Sequence, residues 1–244
     1  DLIASFLETF GITINNNSIL AETLSNSMNL INSDYFNNGN TSGFVENRVS
    51  VSKRPVFDTL PKRSSTPTMT YSGIGSRQTP PEILSKMTEV STYLEKQGYT
   101  LNTGVTFGGK KEGADKAFDD GVKNRSKINL FAPEQATAKE KQIAKEIHPA
   151  PDRLSQGALS LMARNTNQVF GKNLDTPVDF VLFWAKETNN PLRPQGGTGQ
   201  AVEMARRKGI PTINMASPDW RTQLLDVLNT KPIENNNQEE ANYT

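Results

Sequence analysis

The sequence predicts an α/β fold, in which a parallel sheet is covered by helices on both faces. From about residue 69, short apolar runs alternate with amphipathic stretches, as in βαβ units, where a helix joins two parallel strands. The most apolar run, Val178–Trp184, is typical of a central strand that is buried on both faces. Glycine-containing loops follow three of the predicted strands. In open parallel sheets, ligands bind beside such loops, at the carboxyl ends of the strands.

The first half of this domain begins with a strand, Met69–Gly73, that ends at a glycine. Two prolines then open a helix that continues to Gln97, and its apolar side chains recur on one face: Ile83, Leu84, Met87, Val90 and Leu94. Tyr99–Thr103 is the second predicted strand, and Lys111–Gly121 is a helix whose alanines and phenylalanine face inward. Ile128–Ala132 is a further strand, which a proline ends.

The second half continues the alternation. Two helical stretches, Gln135–Ile147 and Arg153–Phe170, precede the apolar strand Val178–Trp184. Gly199–Lys208 is a predicted helix that a glycine ends, and Ile210–Met215 is the last predicted strand. Because helices separate the strands, the sheet is expected to be parallel.

The predicted domain covers residues 67–230, and its flanks differ from it in composition. In residues 1–66, apolar side chains such as Phe6 and Leu20 recur at helical spacing, and a polar, proline-containing stretch follows them. This segment is either a flexible extension or a mostly helical and extended arm, which would cover its apolar stripes by docking on a partner. Residues 231–244 are rich in Asn, Gln and Glu, and a disordered tail is expected there.

The composition argues against several classes of function. The net charge is +1, from 27 Lys and Arg against 26 Asp and Glu, whereas nucleic-acid binders usually carry a larger positive excess. There is no Cys, so disulfides and thiol chemistry are excluded. The only histidine, His148, precedes a proline at a predicted helix end, where a capping or surface role is expected. No metal site, cofactor or membrane span is expected.

The first glycine loop follows the first predicted strand and precedes a helix, and four of its residues are candidates for ligand binding: Gly73, Gly75, Ser76 and Arg77. Glycines allow backbone N–H groups to approach a phosphate, and a helix N-terminus favours negative charge. The Arg77 guanidinium could add a bidentate contact to the same phosphate. A tight turn without a ligand is the alternative.

The second and third loops give further candidates. In the second loop these are Thr103, Gly104, Gly113 and Asp115, although Asp115 could equally cap N–H groups in the first turn of its helix. The third loop follows the most apolar strand and contributes Gly196, Gly197, Thr198 and Gly199. Adjacent glycines before a helix make a favourable anion site, so a phosphate is expected here. Glu203, further along the same helix, could direct its carboxylate to the cleft.

Six segments, taken together and in order, resemble the superfamily of the DNA-processing protein A and the Lonely Guy phosphoribohydrolases, and most closely its phage and bacterial DNA-processing-A-like members. The segments are Gly73–Arg77, Gly113–Phe118, His148–Pro149, Ala163–Asn165, Gly196–Ala201 and Gly209–Asn214. The resemblance covers about residues 69–216 and implies a Rossmann-like domain that binds nucleotides or nucleotide derivatives.

The Lonely Guy branch of this superfamily hydrolyses the N-glycosidic bond of nucleoside monophosphates with an Arg from a helix and a Glu after a glycine loop. Arg164 and Glu203 lie at the matching positions, so the resemblance implies that they would be catalytic. The sequence departs from that pattern at Gln195, where proline is usual, at Gln200, where threonine is usual, and at Asn165, where lysine is usual. These departures favour binding over hydrolysis.

The leading expectation is a module, in a phage context, that binds a nucleotide or a nucleotide-derived small molecule. A phosphoribohydrolase, a virion or assembly component with a non-catalytic domain, and a DNA-binding recombination mediator are the alternatives. Residues 1–66 would then contact a second copy or a virion partner, and neither nucleic acid nor a membrane is the expected partner. The expected location is the cytoplasm of a host cell or the virion.

Overall fold

A computed structural model describes residues 55–186 and 196–230. Most of the predicted arm, residues 1–54, lies outside the described residues, and so does the predicted tail, residues 231–244. Gln195, one of the departures from the resembled pattern, also falls outside them. The described residues belong to the predicted domain and to the last part of the predicted arm.

Five parallel strands form the sheet of the described residues, in the order β3-β2-β1-β4-β5. They are β1 (Thr70–Gly75), β2 (Thr100–Gly104), β3 (Ile128–Phe131), β4 (Phe180–Trp184) and β5 (Thr212–Asn214). This arrangement confirms the predicted Rossmann-like α/β fold. The strand order reverses between β1 and β4, so a crevice opens at the carboxyl ends of these two strands.

The helices alternate with the strands, as predicted. They are α1 (Pro81–Lys96), α2 (Gly113–Gly121), α3 (Ala138–Ile147), α4 (Gln156–Phe170), α5 (Gly196–Arg207) and α6 (Trp220–Asn229). Helix α6 was not predicted from the sequence, although Trp220, Leu224 and Leu228 recur every four residues and are all buried. Helix α5 begins three residues before the predicted start, so the adjacent glycines of the third loop form its first turn.

Side-chain caps explain why α3 and α4 begin later than predicted. Thr137 accepts a hydrogen bond from the Lys139 backbone N–H at the start of α3. Ser155 accepts one from the Ala158 backbone N–H, at an Oγ–N distance of 3.2 Å, at the start of α4. A hydroxyl at the N-cap satisfies an amide that has no partner within the helix, and the helix therefore starts there. Gln135 and Arg153, the predicted first residues of these helices, are instead the last residues of short 3-10 turns, Pro133–Gln135 and Pro151–Arg153.

The two faces of the sheet are covered by different helices. On one face, the Tyr71 ring stacks on Phe180 at 5.7 Å between centroids and meets Phe118 of α2 edge-on. On the other face, Ile74 and Val181 join one buried apolar cluster with side chains of α3, α4 and α5. The inward face predicted for α2 is confirmed, since its alanines and its phenylalanine are buried.

Residues 55–60, which the sequence analysis assigned to the arm, pack against this second face. Phe57 and Leu60 are 4% exposed and belong to its apolar cluster. The Glu146 carboxylate accepts hydrogen bonds from the backbone N–H groups of Val56 and Phe57, at 3.1 and 2.8 Å. The Lys208 ammonium donates to the Leu60 carbonyl at 2.7 Å and lies 4.7 Å from the centre of the Phe57 ring. The last residues of the predicted arm thus contribute to the core.

The Phe57→Ala substitution should lower the free energy of unfolding by about 3–5 kcal/mol, because it empties a buried ring site and removes the cation–π partner of Lys208. Phe107→Ala is the matched control, because the Phe107 side chain is 48% exposed, and a change below about 1 kcal/mol is expected for it. Urea denaturation of both variants measures the difference. Equal, small effects would show that residues 55–60 are dispensable for the core.

Membrane insertion of the described part of the chain can be assessed from its helices. Within residues 55–186 and 196–230, no helix has the length and apolar character needed to cross a membrane.

Candidate functional site

A cleft of about 550 Å³ lies at the carboxyl end of β1, beside the point where the strand order reverses. All three predicted glycine loops contribute to it, together with the first half of α4. Its lining residues are Ile74, Gly75, Ser76, Arg77, Thr106, Phe107, Glu112, Asp115, Ala158, Leu161, Met162, Arg164, Asn165, Gly196, Gly197 and Thr198. The structure therefore brings the three loops to one edge of the sheet, as the strand-loop-helix pattern predicted. Ligand binding by these loops stays a prediction.

The buried guanidinium of Arg164 forms the floor of the cleft. Its Nη1 donates to the Val105 carbonyl at 3.0 Å and to the Asp115 carboxylate at 3.1 Å. Its Nη2 donates to the Asn165 side-chain oxygen at 3.2 Å. Arg164 is only 8% exposed, so its charge is removed from water and depends on these partners.

Gly104, at the end of β2, makes room for this guanidinium. A Cβ atom built on Gly104 would lie 1.8 Å from Arg164 Nη1, far inside van der Waals contact. The predicted ligand contact at Gly104 is thus occupied by a protein side chain. Thr103, the preceding candidate, donates its hydroxyl to the Gly73 carbonyl at 3.1 Å and links two strands. Neither residue is among the described residues that line the cleft.

The glycines of the first loop allow α2 to approach β1. A Cβ atom on Gly73 would lie 2.5 Å from the Phe118 ring, and one on Gly75 would lie 2.5 Å from the Ala114 Cβ. Gly75 also lines the cleft, whereas Gly73 is buried beneath α2. The glycines that suggested a phosphate loop are thus also required for the close packing of α2 against β1.

The rest of the first loop forms a tight turn at the rim of the cleft. The Ser76 hydroxyl accepts a hydrogen bond from the Gln78 backbone N–H at 3.0 Å. Gly113 packs against this turn with a φ of 55°, and a Cβ atom there would lie 2.6 Å from the Ser76 carbonyl oxygen. The Arg77 side chain is 77% exposed and lies 3.8 Å from Glu112. Arg77 is therefore a solvated cation at the cleft mouth.

Asp115 lies in the first turn of α2 and is buried against Arg164. Burial raises the pKa of its carboxyl from 3.8 to about 6, although the Arg164 charge and hydrogen bond act in the opposite direction. Its Oδ1 atom has no hydrogen-bond partner among the described residues, and neither has Arg164 Nε. Buried polar atoms without partners are unusual, and here two of them belong to neighbouring side chains that line one cleft.

The first turn of α5 closes the opposite side of the cleft. Gly196 has a φ of 69°, and Gly197 and Thr198 follow it at the cleft wall. Asn165 donates its side-chain N–H to the Gly197 carbonyl at 3.0 Å, which holds this turn against α4. The first amide groups of a helix have no partners within it, and the helix dipole makes this end positive. Gly199, another predicted contact, is buried within α5 and does not line the cleft.

Glu203, predicted to act in the cleft, is engaged elsewhere. Its carboxylate pairs with the Arg207 Nε at 2.7 Å, one turn further along α5. With a rise of about 1.5 Å per residue, Glu203 lies roughly 10 Å along the helix from Gly196. Glu203 is not among the described lining residues, so the structure does not bring it to the cleft with Arg164.

His148 occupies the predicted C-cap position of α3.

An apolar wall of the cleft was missed by the sequence reasoning. Ala158, Leu161 and Met162 lie on the face of α4 that also carries Asn165, and Phe107, in the second loop, also lines the cleft. The spacing of 158, 161, 162 and 165 is that of one helix face, and it could have indicated the wall. Phe107 gave no periodic signal, because it stands in a loop.

Comparisons of the chain with protein-family models, with curated proteins and with solved structures found no match. Within residues 55–186 and 196–230, no group of three or more His, Asp or Glu side chains is placed to hold a metal ion. The structure shows a Rossmann-like parallel α/β fold, and the function must be argued from the cleft itself.

The Gly104→Ala substitution should displace the Arg164 guanidinium and lower the free energy of unfolding by about 3–5 kcal/mol, because it breaks a buried charge pair. Gly157→Ala is the control, because its Cβ atom would meet its nearest neighbour at 3.7 Å, and a change within about 1 kcal/mol is expected. In an Arg164→Ala background, the cost of Gly104→Ala should fall below about 1 kcal/mol. If the cost of Gly104→Ala is unchanged in that background, the two residues are not energetically coupled, and this explanation of Gly104 is wrong.

Asp115 should make stability depend on pH. Its pKa in the folded protein is about 6 against an ordinary value of 3.8, so its stabilising contribution is present below pH 4 and is lost as the pH rises through 6. At about 1.4 kcal/mol per pH unit, the loss is on the order of 3 kcal/mol. Urea denaturation of the wild type and of Asp115→Asn at pH 4 and pH 7 measures the part of this loss that is due to Asp115. The wild type should lose stability relative to the variant on going to pH 7, and a change in the opposite direction would contradict the raised pKa.

Proposed function

We propose that this cleft binds a nucleotide or a nucleotide-derived molecule, with a phosphate at the first turn of α5. The observation that carries the proposal is the meeting, in one cleft at the strand-order reversal, of a helix N-terminus and two buried polar side chains with unpartnered atoms. Nucleotide sites of open parallel sheets lie at this position. The volume of about 550 Å³ is within the range of small-molecule sites.

The phosphate end of the proposed ligand is assigned to Gly196, Gly197 and Thr198. These residues form the start of a helix of 12 residues, where free amides and the dipole favour an anion. Arg77 stands at the rim of the same cleft with its guanidinium in solvent, where it can add attraction for the approaching anion. The hydrogen bond from the Asn165 side chain to the Gly197 carbonyl holds this turn against α4.

The sugar end is assigned to the floor formed by Asp115 and Arg164. A ribose carries hydroxyl groups that donate and accept hydrogen bonds, and this floor holds one acceptor and one donor without protein partners among the described residues. Both atoms are buried, so a small rotation of the carboxyl is needed before a ligand hydroxyl, or a water that the ligand holds in place, can reach Asp115 Oδ1. The floor therefore fits a polyhydroxylated group better than an apolar one.

The geometry supports binding better than phosphoribohydrolase activity. The resemblance implies catalysis by Glu203, and Glu203 pairs with Arg207 outside the described lining of the cleft. If the chain is a hydrolase, incubation with AMP will release adenine, and Glu203→Ala will abolish the release. We expect no release from the wild type and unchanged AMP affinity in the variant.

The proposal is tested by isothermal titration of the full chain with AMP and with ribose 5-phosphate, using Thr198→Glu. The new carboxylate should repel the phosphate and lower both affinities at least tenfold, while an acidic side chain in the first turn of α5 keeps the helix stable. Thr198→Gln is the matched neutral control, and its affinities should stay within about threefold of the wild type. Thermal unfolding of all three proteins checks that the fold is retained.

Two results would overturn this function. The first is a wild-type chain that binds neither compound and releases no nucleotide-like molecule on denaturation, as judged by mass spectrometry. The second is a Thr198→Glu variant that binds both compounds as tightly as Thr198→Gln, since the phosphate would then lie elsewhere than at the first turn of α5.

A further inference from the structure

Phe107 is a large apolar side chain that the fold leaves exposed. It is 48% exposed, and within the described residues only Leu130, on β3, is exposed to a comparable extent among large apolar side chains. Unlike Leu130, Phe107 lines the cleft. The ring stands beside the start of α4, where its Cε2 atom would lie 3.7 Å from a Cβ atom built on Gly157.

The loop that carries Phe107 is held in place by hydrogen bonds on both sides of the ring. The Thr106 backbone N–H donates to the Lys110 carbonyl at 2.8 Å, and the Gly109 N–H donates to the Thr106 carbonyl at 3.0 Å. The Gly108 N–H donates to the Glu134 carboxylate at 2.8 Å. Gly108 and Gly109 both have positive φ, which suits glycine and fixes this turn. The ring is therefore presented to the cleft by an ordered backbone.

Apolar side chains of α4 line the same cleft, namely Ala158, Leu161 and Met162. Phe107 adjoins this helix at Gly157, the residue before Ala158. Most of the remaining lining is polar and includes Arg77, Glu112, Asp115, Arg164, Asn165 and the first turn of α5. A ligand that uses both kinds of group carries a phosphate and a flat apolar group.

We infer that Phe107 stacks on the base of the bound nucleotide and makes the site select nucleotides over sugar phosphates. This inference rests on the proposed function and adds to it a residue that determines specificity. A base has an apolar face and polar edges, so it can lie against the ring and the α4 side chains while its edges meet water at the open mouth. Stacking of a base on an aromatic side chain strengthens binding by about ten- to a hundredfold.

The test compares AMP with ribose 5-phosphate, which carries the same phosphate and sugar but no base. Phe107→Ala should weaken AMP binding by about ten- to a hundredfold and leave ribose 5-phosphate binding within about twofold of the wild type. Phe107→Tyr should retain AMP binding, because it keeps the aromatic face. Leu130→Ala is the matched control, since it truncates the other exposed apolar side chain, and it should change neither affinity.

A spectroscopic measurement gives a second readout. Phe107→Trp places an indole at the proposed stacking position, and its fluorescence should be quenched by AMP and not by ribose 5-phosphate, after subtraction of the wild-type signal. Thermal unfolding of each variant should match the wild type, because the Phe107 ring is half-exposed.

The outcomes separate this inference from the proposed function. If the wild type binds both compounds and Phe107→Ala weakens both equally or neither, the stacking role is wrong and nucleotide binding stands. If the wild type binds neither compound, the proposed function fails, and the inference fails with it. Loss of AMP binding alone in Phe107→Ala, with retention in Phe107→Tyr, supports both.

Discussion

The burial of the Arg164 guanidinium is the constraint on which the cleft depends. A charge removed from water must be paired, and here the partners come from the end of β2, from α2 and from α4 itself. The position of Gly104 must be a glycine, because the guanidinium occupies the space of its Cβ atom. Position 115 must place an oxygen acceptor beside the same guanidinium, as Asp115 does. One buried cation thus determines residue types on three elements and fixes the floor between them.

The same packing explains how the glycine loops acquire their shape. Gly73 and Gly75 let α2 lie against β1, so the first turn of α2 and its Asp115 reach the cleft. The space that these glycines leave is filled by the side chains of Phe118 and Ala114, and not by a ligand. At the start of α5, by contrast, a Cβ atom on Gly196 would meet none of the described residues within 4 Å. The first loop therefore serves mainly to pack the domain, whereas Gly196 is not required by packing against the described residues.

The sequence predicted the sheet, its parallel strands and the edge where the loops meet, because hydrophobic periodicity and glycine positions are local signals. Roles that depend on tertiary partners could not be predicted in the same way. A glycine that admits a phosphate and a glycine that admits a guanidinium, as at Gly104, have the same sequence signature. Glu203 carries a carboxylate at a suggestive spacing, but its pairing with Arg207 depends on rotamers. The burial of Phe57 was hidden by the polar stretch around it.

Asn165 connects the buried charge to the proposed phosphate position. Its side-chain oxygen accepts from Arg164, and its side-chain nitrogen donates to the Gly197 carbonyl. A lysine here could donate but not accept, and an ionised aspartate could accept but not donate, whereas an amide does both. The chain of hydrogen bonds from Asp115 through Arg164 and Asn165 to Gly197 therefore needs this residue type. Because the chain joins α2, α4 and α5, one continuous set of hydrogen bonds links the floor of the cleft to the proposed phosphate position.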